Sequence, residues 1–197
     1  MRELAIEFYK RGIVKLGRFI LSSGIESPFY IDLRVMYSHP DLMKLIVKEA
    51  VDKVKSEDYE TLVGVATSGI ALAAYIASHM SKPMAYVRVE RKDHGTRSFV
   101  EGDVTGRKAL IVDDVATTGE SLERAFKALV EVGARPKGVL VVVDRCQGAQ
   151  KRVDGLGLKY HYLTTAEEIF ETLVNEGYID ATTYRELTQY IRKYQQV

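Results

Sequence analysis

The chain has 197 residues, 46% of them hydrophobic, with 28 Lys and Arg against 27 Asp and Glu. That length suits one well-buried domain and not two comfortable ones, and a net charge of +1 leaves neither a sequence-wide basic field for nucleic acid nor an acidic tail, so anion binding has to be local. A single cysteine, Cys146, excludes an internal disulfide framework and a multi-cysteine zinc site, and no apolar run approaches the roughly 20 residues that span a bilayer. Arg2, Glu3, Glu7 and Lys10 interrupt the first segment before any apolar core can form, so a cytoplasmic protein without membrane contact is expected.

Leu4, Ala5, Phe8 and Tyr9 recur at helical spacing ahead of Gly12, which predicts a short opening helix. Residues 13–21 and 28–33 read as extended, joined by Ser22-Ser23-Gly24, and form a small flap. Between Asp41 and Ser56, the positions Leu42, Leu45, Ile46, Ala50, Val51 and Val54 make one apolar stripe, predicting a helix capped by Asp41. Strands are then predicted at 61–66, 84–89, 108–112 and 138–144, helices at 70–80 and 121–132, an edge strand at 160–163, and a helical end from Ala166 with Tyr184, Leu187, Ile191 and Tyr194 on one stripe. That alternation is the pattern of an α/β fold, a mainly parallel central sheet flanked by helices. The uninterrupted Val139-Leu140-Val141-Val142-Val143 suits a strand covered on both faces.

The strand-to-helix junctions carry the chemistry. In Ile111-Val112-Asp113-Asp114-Val115-Ala116-Thr117-Thr118-Gly119-Glu120-Ser121, an apolar strand delivers two carboxylates and a hydroxyl- and glycine-rich turn opens a helix. Ligands of open α/β sheets sit beyond the carboxyl ends of strands, and amides at a helix N-terminus favour phosphate. A ribose 5-phosphate satisfies both features, its hydroxyls on the carboxylates and its phosphate on the turn; a turn and capping device is the plainer reading. Gly64-Val65-Ala66-Thr67-Ser68-Gly69-Ile70 repeats the logic as a second anion cradle or an ordinary turn. The polar stretch 88–98 concentrates Arg88, Arg91, Lys92, His94 and Arg97, as a loop that closes over a polyanion or as a solvated hairpin. Asp144-Arg145 ends another apolar strand at the same sheet edge, with Arg145 placed to meet a carboxylate or to form a surface pair. Cys146 beside it reads as a structural thiol.

Together these segments resemble the type I phosphoribosyltransferases, most closely the members that use orotate. The 111–121 segment is similar to the family's motif for phosphoribosyl pyrophosphate. Ser23-Gly24-Ile25-Glu26-Ser27-Pro28-Phe29-Tyr30 resembles the N-terminal flap, Lys92-Asp93-His94-Gly95 with Glu101-Gly102 the mobile catalytic loop, and Val143-Asp144-Arg145 the strand end beside orotate. The resemblance implies the type I phosphoribosyltransferase fold as one domain over 1–197, with a hood from about 1–38. It implies transfer of the phosphoribosyl group from phosphoribosyl pyrophosphate to orotate, giving orotidine 5-phosphate and pyrophosphate in UMP biosynthesis.

By the same resemblance, Asp113 and Asp114 hold the ribose hydroxyls, and Val115, Ala116, Thr117, Thr118, Gly119, Glu120 and Ser121 surround the 5-phosphate. Thr67, Ser68 and Gly69 cradle pyrophosphate. Arg88, Lys92 and His94 come down on it, largely from the partner subunit of a homodimer, Lys92 acting electrostatically and His94 assisting or donating a proton. Thr117, Arg145, Phe29 and Tyr30 contact orotate. Mg²⁺ is the implied cofactor, held by substrate oxygens and water and not by a protein metal site. Ser22 stands where many orotate enzymes carry a lysine, and Val89 where many carry a second lysine after the arginine. The alternatives are a phosphoribosyltransferase for another base and a regulator that senses the donor on the same fold. Arg145 and the flap favour a carboxylated pyrimidine, and Lys92 with His94 favours turnover.

Overall fold

The computed structural model describes residues 2–20, 24, 26–89 and 99–194. Helix α1 (Arg2–Lys10) buries Leu4, Ala5 and Phe8. Strands β1 (Val14–Ile20) and β2 (Glu26–Ile31) then pair antiparallel in a separate two-stranded sheet, the flap expected at 13–33. A 3₁₀ turn over Leu33–Ser38 leads into α2 (Pro40–Val54). Asp41 does not cap that helix: His39 holds the cap position and Pro40, whose missing N–H costs nothing there, opens the first turn. Asp41 instead pairs with Arg11 at 2.5 Å.

The main sheet has six strands in the order β5-β4-β3-β6-β7-β8. They are β3 (Thr61–Val65), β4 (Met84–Val87), β5 (Val100–Glu101), β6 (Lys108–Ala116), β7 (Arg135–Asp144) and β8 (Lys159–Thr165). Only the short β4–β5 pair is antiparallel. From β3 the chain steps outward through β4 and β5, then returns to β6 on the other side and continues through β7 to β8, so the direction of winding reverses between β3 and β6. Two helices leave the sheet at that reversal, α3 (Ser68–Met80) after β3 and α4 (Glu120–Glu131) after β6.

Alternation along the strands sends these helices to opposite faces. Leu110 and Val112 pack with Leu72 and Ile76 of α3, whereas Ala109 and Ile111 pack with Leu122 and Ala125 of α4. The sheet is thus covered on both sides, and Leu140, Val141, Val142 and Val143 of β7 are almost completely buried. Beyond β7 come α5 (Ala149–Gly155), α6 (Ala166–Asn175) and α7 (Ala181–Tyr194). The predicted helical end is two helices. The first is fixed by a capping box in which Thr165 Oγ1 accepts from the Glu168 amide (3.0 Å) and Glu168 Oε2 accepts from the Thr165 amide (2.9 Å).

Strand β6 runs on to Ala116 instead of stopping at residue 112, because its pairing with β7 continues to Ala116 opposite Asp144. The acidic pair is therefore part of the strand. Strand β4 is shorter than predicted and ends at Val87, while β5, α5 and the 3₁₀ turn were not anticipated.

Gly64 in β3 sets how closely the following turn folds back. A Cβ there would lie 2.6 Å from both the Gly69 carbonyl oxygen and Ile70 Cα, two backbone atoms that cannot rotate away. Gly64→Ala is expected to destabilise the fold by about 1–3 kcal/mol, read as a lower urea midpoint at unchanged slope.

Candidate active site

The end of β6 places Asp113 and Asp114 side by side, each only 8% exposed. Each carboxylate accepts the next backbone amide at 2.9 Å: Asp114 N–H donates to Asp113 Oδ1, and Val115 N–H to Asp114 Oδ1. Ser121 Oγ, from the first turn of α4, donates to Asp113 Oδ2 at 3.4 Å. These contacts leave carboxylate lone pairs for a ligand. Burial, and then the Asp114 charge beside it, pushes the Asp113 carboxyl well above the usual carboxylate range.

The turn 117–119 follows directly. Thr117 is half-buried, Thr118 exposed and Gly119 buried. Gly119 caps α4 in the left-handed region (φ 79°) and no side chain caps the helix amides, so that end has room for an anion's oxygens. Arg152 of α5 braces the turn by donating from Nε to the Thr118 carbonyl (2.7 Å) and pairing through Nη1 with Glu123 Oε2 (2.5 Å). The unpredicted helix α5 thus supports the predicted cradle.

The second cradle lies against the first. Thr67 is exposed, Ser68 half-buried and Gly69 buried, and the Ala66–Thr67 peptide is cis. A Cβ on Gly69 would stand 2.4 Å from the Val112 carbonyl oxygen and 3.1 Å from Asp113 Oδ1, so only glycine lets this turn approach the acidic pair. Tyr37 of the 3₁₀ turn secures it, donating to the Ser68 carbonyl at 2.5 Å. Burial raises the Tyr37 phenol to about 12 and keeps it a donor at neutral pH.

Arg145 follows β7 at the same edge and is 6% exposed. Its Nε and Nη2 are buried without a hydrogen-bond partner among the described residues, and burial lowers its affinity for its proton. Its Cζ lies 4.7 Å from the centre of the Phe29 ring. Phe29 is fully buried, so its ring is a wall for Arg145 more than an open ligand contact. Asp144 shapes the turn: its Oδ1 accepts from the Cys146 amide (2.8 Å), with Cys146 in the left-handed region. The Cys146 thiol is pushed up to about 11, first by burial and then by the Asp144 charge, which fits a structural role.

Tyr30 lies half-buried in β2, its hydroxyl accepting from Arg34 Nη2 at 3.2 Å. Arg34 also donates to Asp32 Oδ1 at 2.7 Å and is within electrostatic reach of Asp114. Asp32, Arg34, Tyr37 and Arg152 escaped the sequence reading, since nothing in their local spacing ties them to the strand ends. Arg88 lies at the end of β4 and pairs with Glu101 at 3.3 Å. Lys92, His94 and Ser22 lie outside the described residues, and Val89 is exposed. Among the described residues, no three His, Cys, Asp or Glu side chains form a group that would hold a metal ion.

An acidic pair beside two glycine- and hydroxyl-bearing turns stands at the point where a doubly wound sheet reverses, the place where ligands of such sheets bind. Residues 36–158 match the family model of the phosphoribosyl transferase domain. An orotate phosphoribosyltransferase of Pyrobaculum calidifontis is 44% identical over 185 residues, covering 93% of this chain and 95% of its own. The crystal structure of orotate phosphoribosyltransferase from Aeropyrum pernix superposes with a TM-score of 0.77 at 34% identity, over 86% of this chain and 98% of that one. The Mycobacterium tuberculosis orotate phosphoribosyltransferase in complex with 5-phospho-α-D-ribosyl 1-diphosphate gives 0.70 at 31% identity, over 85% and 97%. The chain belongs to the phosphoribosyltransferase family and, within it, to the orotate phosphoribosyltransferases.

Because Asp113 binds its proton more tightly in the folded chain than in the unfolded one, its ionisation at neutral pH opposes folding, and that opposition fades as pH falls through the folded-state pKa. Asp113→Asn is therefore expected to stabilise the protein by about 1 kcal/mol at pH 7 while abolishing most activity. Denaturation across pH should show the gain shrinking as pH falls and the wild-type carboxyl takes up its proton.

Proposed function

We propose that the protein transfers the 5-phosphoribosyl group from phosphoribosyl pyrophosphate to a ring nitrogen of orotate, releasing pyrophosphate and forming orotidine 5-phosphate for UMP biosynthesis. The observation that carries the choice of base is Arg145, a buried guanidinium whose Nε and Nη2 have no hydrogen-bond partner among the described residues, at the edge that also holds the acidic pair. Guanidinium pairs bidentately with a carboxylate, and orotate differs from uracil by that group.

Each residue then has a chemical task. The turn 117–119 and the first amides of α4 hold the 5-phosphate, and Asp113 and Asp114 accept from the ribose hydroxyls, which fixes C1 against the base. Breaking the C1–oxygen bond puts positive character on the sugar and negative charge on the departing pyrophosphate. The buried carboxylates face the first, and the amides of 67–69 face the second. Donors fixed before the reaction supply this stabilisation without reorganisation. Arg88, Lys92 and His94 complete the cationic side, Lys92 as an electrostatic group and His94 as an assisting donor. Arg88 would exchange Glu101 for phosphate.

Mg²⁺ would be bound chiefly through substrate oxygens and water, with Asp113 and Asp114 as the protein groups that would help to hold it, since this ion keeps much of its hydration shell. It would neutralise charge on the pyrophosphate. We further propose that residues 1–197 act as one catalytic domain under a hood formed by about 1–38, in a cytoplasmic homodimer whose polar segment 88–98 completes the neighbouring site. No helix among the described residues is long and apolar enough to cross a membrane.

Purified protein with phosphoribosyl pyrophosphate and Mg²⁺ should consume orotate, with uracil and hypoxanthine disfavoured on the order of 10⁴-fold in kcat/KM. Arg145→Ala should lose about 2–5 kcal/mol of transition-state binding, mainly as a higher KM for orotate. Turnover of uracil or hypoxanthine in place of orotate would refute the assignment. For the shared site, mixing inactive Lys92→Ala and Asp113→Asn subunits should restore activity. Mixed dimers that stay inactive would show that each site is built from one chain.

A further inference from the structure

The C-terminal helix packs against the same Phe29 ring as Arg145. Tyr190 of α7 has a buried hydroxyl with no hydrogen-bond partner among the described residues. Its ring meets Phe29 edge to face, with centroids 5.7 Å apart and planes at 85°. Phe29 is the ring over which Arg145 sits, and Phe170 fixes it from a third side at 4.9 Å. Arg145 and Tyr190 are thus held by one common wall, and the phenols of Tyr190 and Tyr30 both act electrostatically on the guanidinium.

Five buried side-chain polar atoms lack partners among the described residues, and three of them, Arg145 Nε, Arg145 Nη2 and Tyr190 Oη, flank this single ring. Buried polar groups are nearly always paired, so such a concentration marks a place that calls for a partner beyond the described residues. Guanidinium is donor only, and a phenol at neutral pH has a proton to give. What both need is an acceptor with several lone pairs and a negative charge. A carboxylate offers about four acceptor sites, enough for two guanidinium N–H groups and one hydroxyl.

We propose that Tyr190 is a specificity-determining residue whose hydroxyl donates to the substrate carboxylate that Arg145 pairs with. Recognition of the carboxylated base is then shared between the end of β7 and a helix far along the chain. This rests on the reading of the protein as an orotate-using transferase.

The test is Tyr190→Phe, which keeps the ring against Phe29 and removes only the hydroxyl. Loss of a hydrogen bond to a charged group should raise the KM for orotate about tenfold or more. The KM for phosphoribosyl pyrophosphate and the melting temperature should stay at wild-type values. An unchanged KM for orotate would overturn the proposal, as would a parallel rise in both KM values, which would indicate a packing role. Wild-type protein that binds the donor yet leaves orotate untouched would overturn the functional reading itself. That failure is distinct from one confined to the variant.

Discussion

Two strand-to-helix junctions have to fit side by side at the tips of β3 and β6, and the space between them is set by backbone atoms. Gly64 and Gly69 carry no side chain because the Gly69 carbonyl oxygen and Ile70 Cα fill the one place and the Val112 carbonyl oxygen fills the other. With that approach secured, the turn at Gly69 lies against Asp113, and α3 and α4 diverge to opposite faces with both N-termini at one edge. The winding reversal opens the crevice, and the two glycines bring its walls close together.

Around this crevice the chain buries charges of opposite sign without letting them neutralise each other. Asp113 and Asp114 lie near the end of β6 and Arg145 follows β7, its immediate neighbour, yet no ion pair joins them among the described residues. Burial pushes Asp113 and Arg145 alike toward their neutral forms. In the proposed reaction, donor hydroxyls on the acidic pair and a base carboxylate on Arg145 would reverse both tendencies. The surrounding braces, Tyr37 on Ser68 and Arg152 on Thr118, hold the turns in place.

The parallel α/β order was legible because its signals are local: unbroken apolar strands such as Val139 to Val143, helical spacing at Leu42 and Ile46, and glycine- and hydroxyl-rich turns. The acidic pair and the two strand-to-helix turns could be read for the same reason, since Asp113 to Ser121 and Gly64 to Ile70 are each one contiguous unit. What could not be read depends on contacts between distant segments. Asp41 looked like a cap until Arg11 and Pro40 were seen to give it another role. Tyr37, Arg152 and Tyr190 look like ordinary surface or stripe residues in sequence, and only folding brings them to Ser68, Thr118 and Phe29. Phe29 belonged to the expected base pocket, but its burial beneath Arg145 makes it a wall of that pocket.

The most direct measurement is a crystal structure of the protein with orotate, Mg²⁺ and a non-reactive analogue of phosphoribosyl pyrophosphate. The base carboxylate is predicted to lie within hydrogen-bond distance of Arg145 Nε and Nη2, with the ribose hydroxyls on Asp113 and Asp114 and the 5-phosphate on the amides of 117–119. An Arg145 that stays unpaired while the base binds elsewhere would contradict the account.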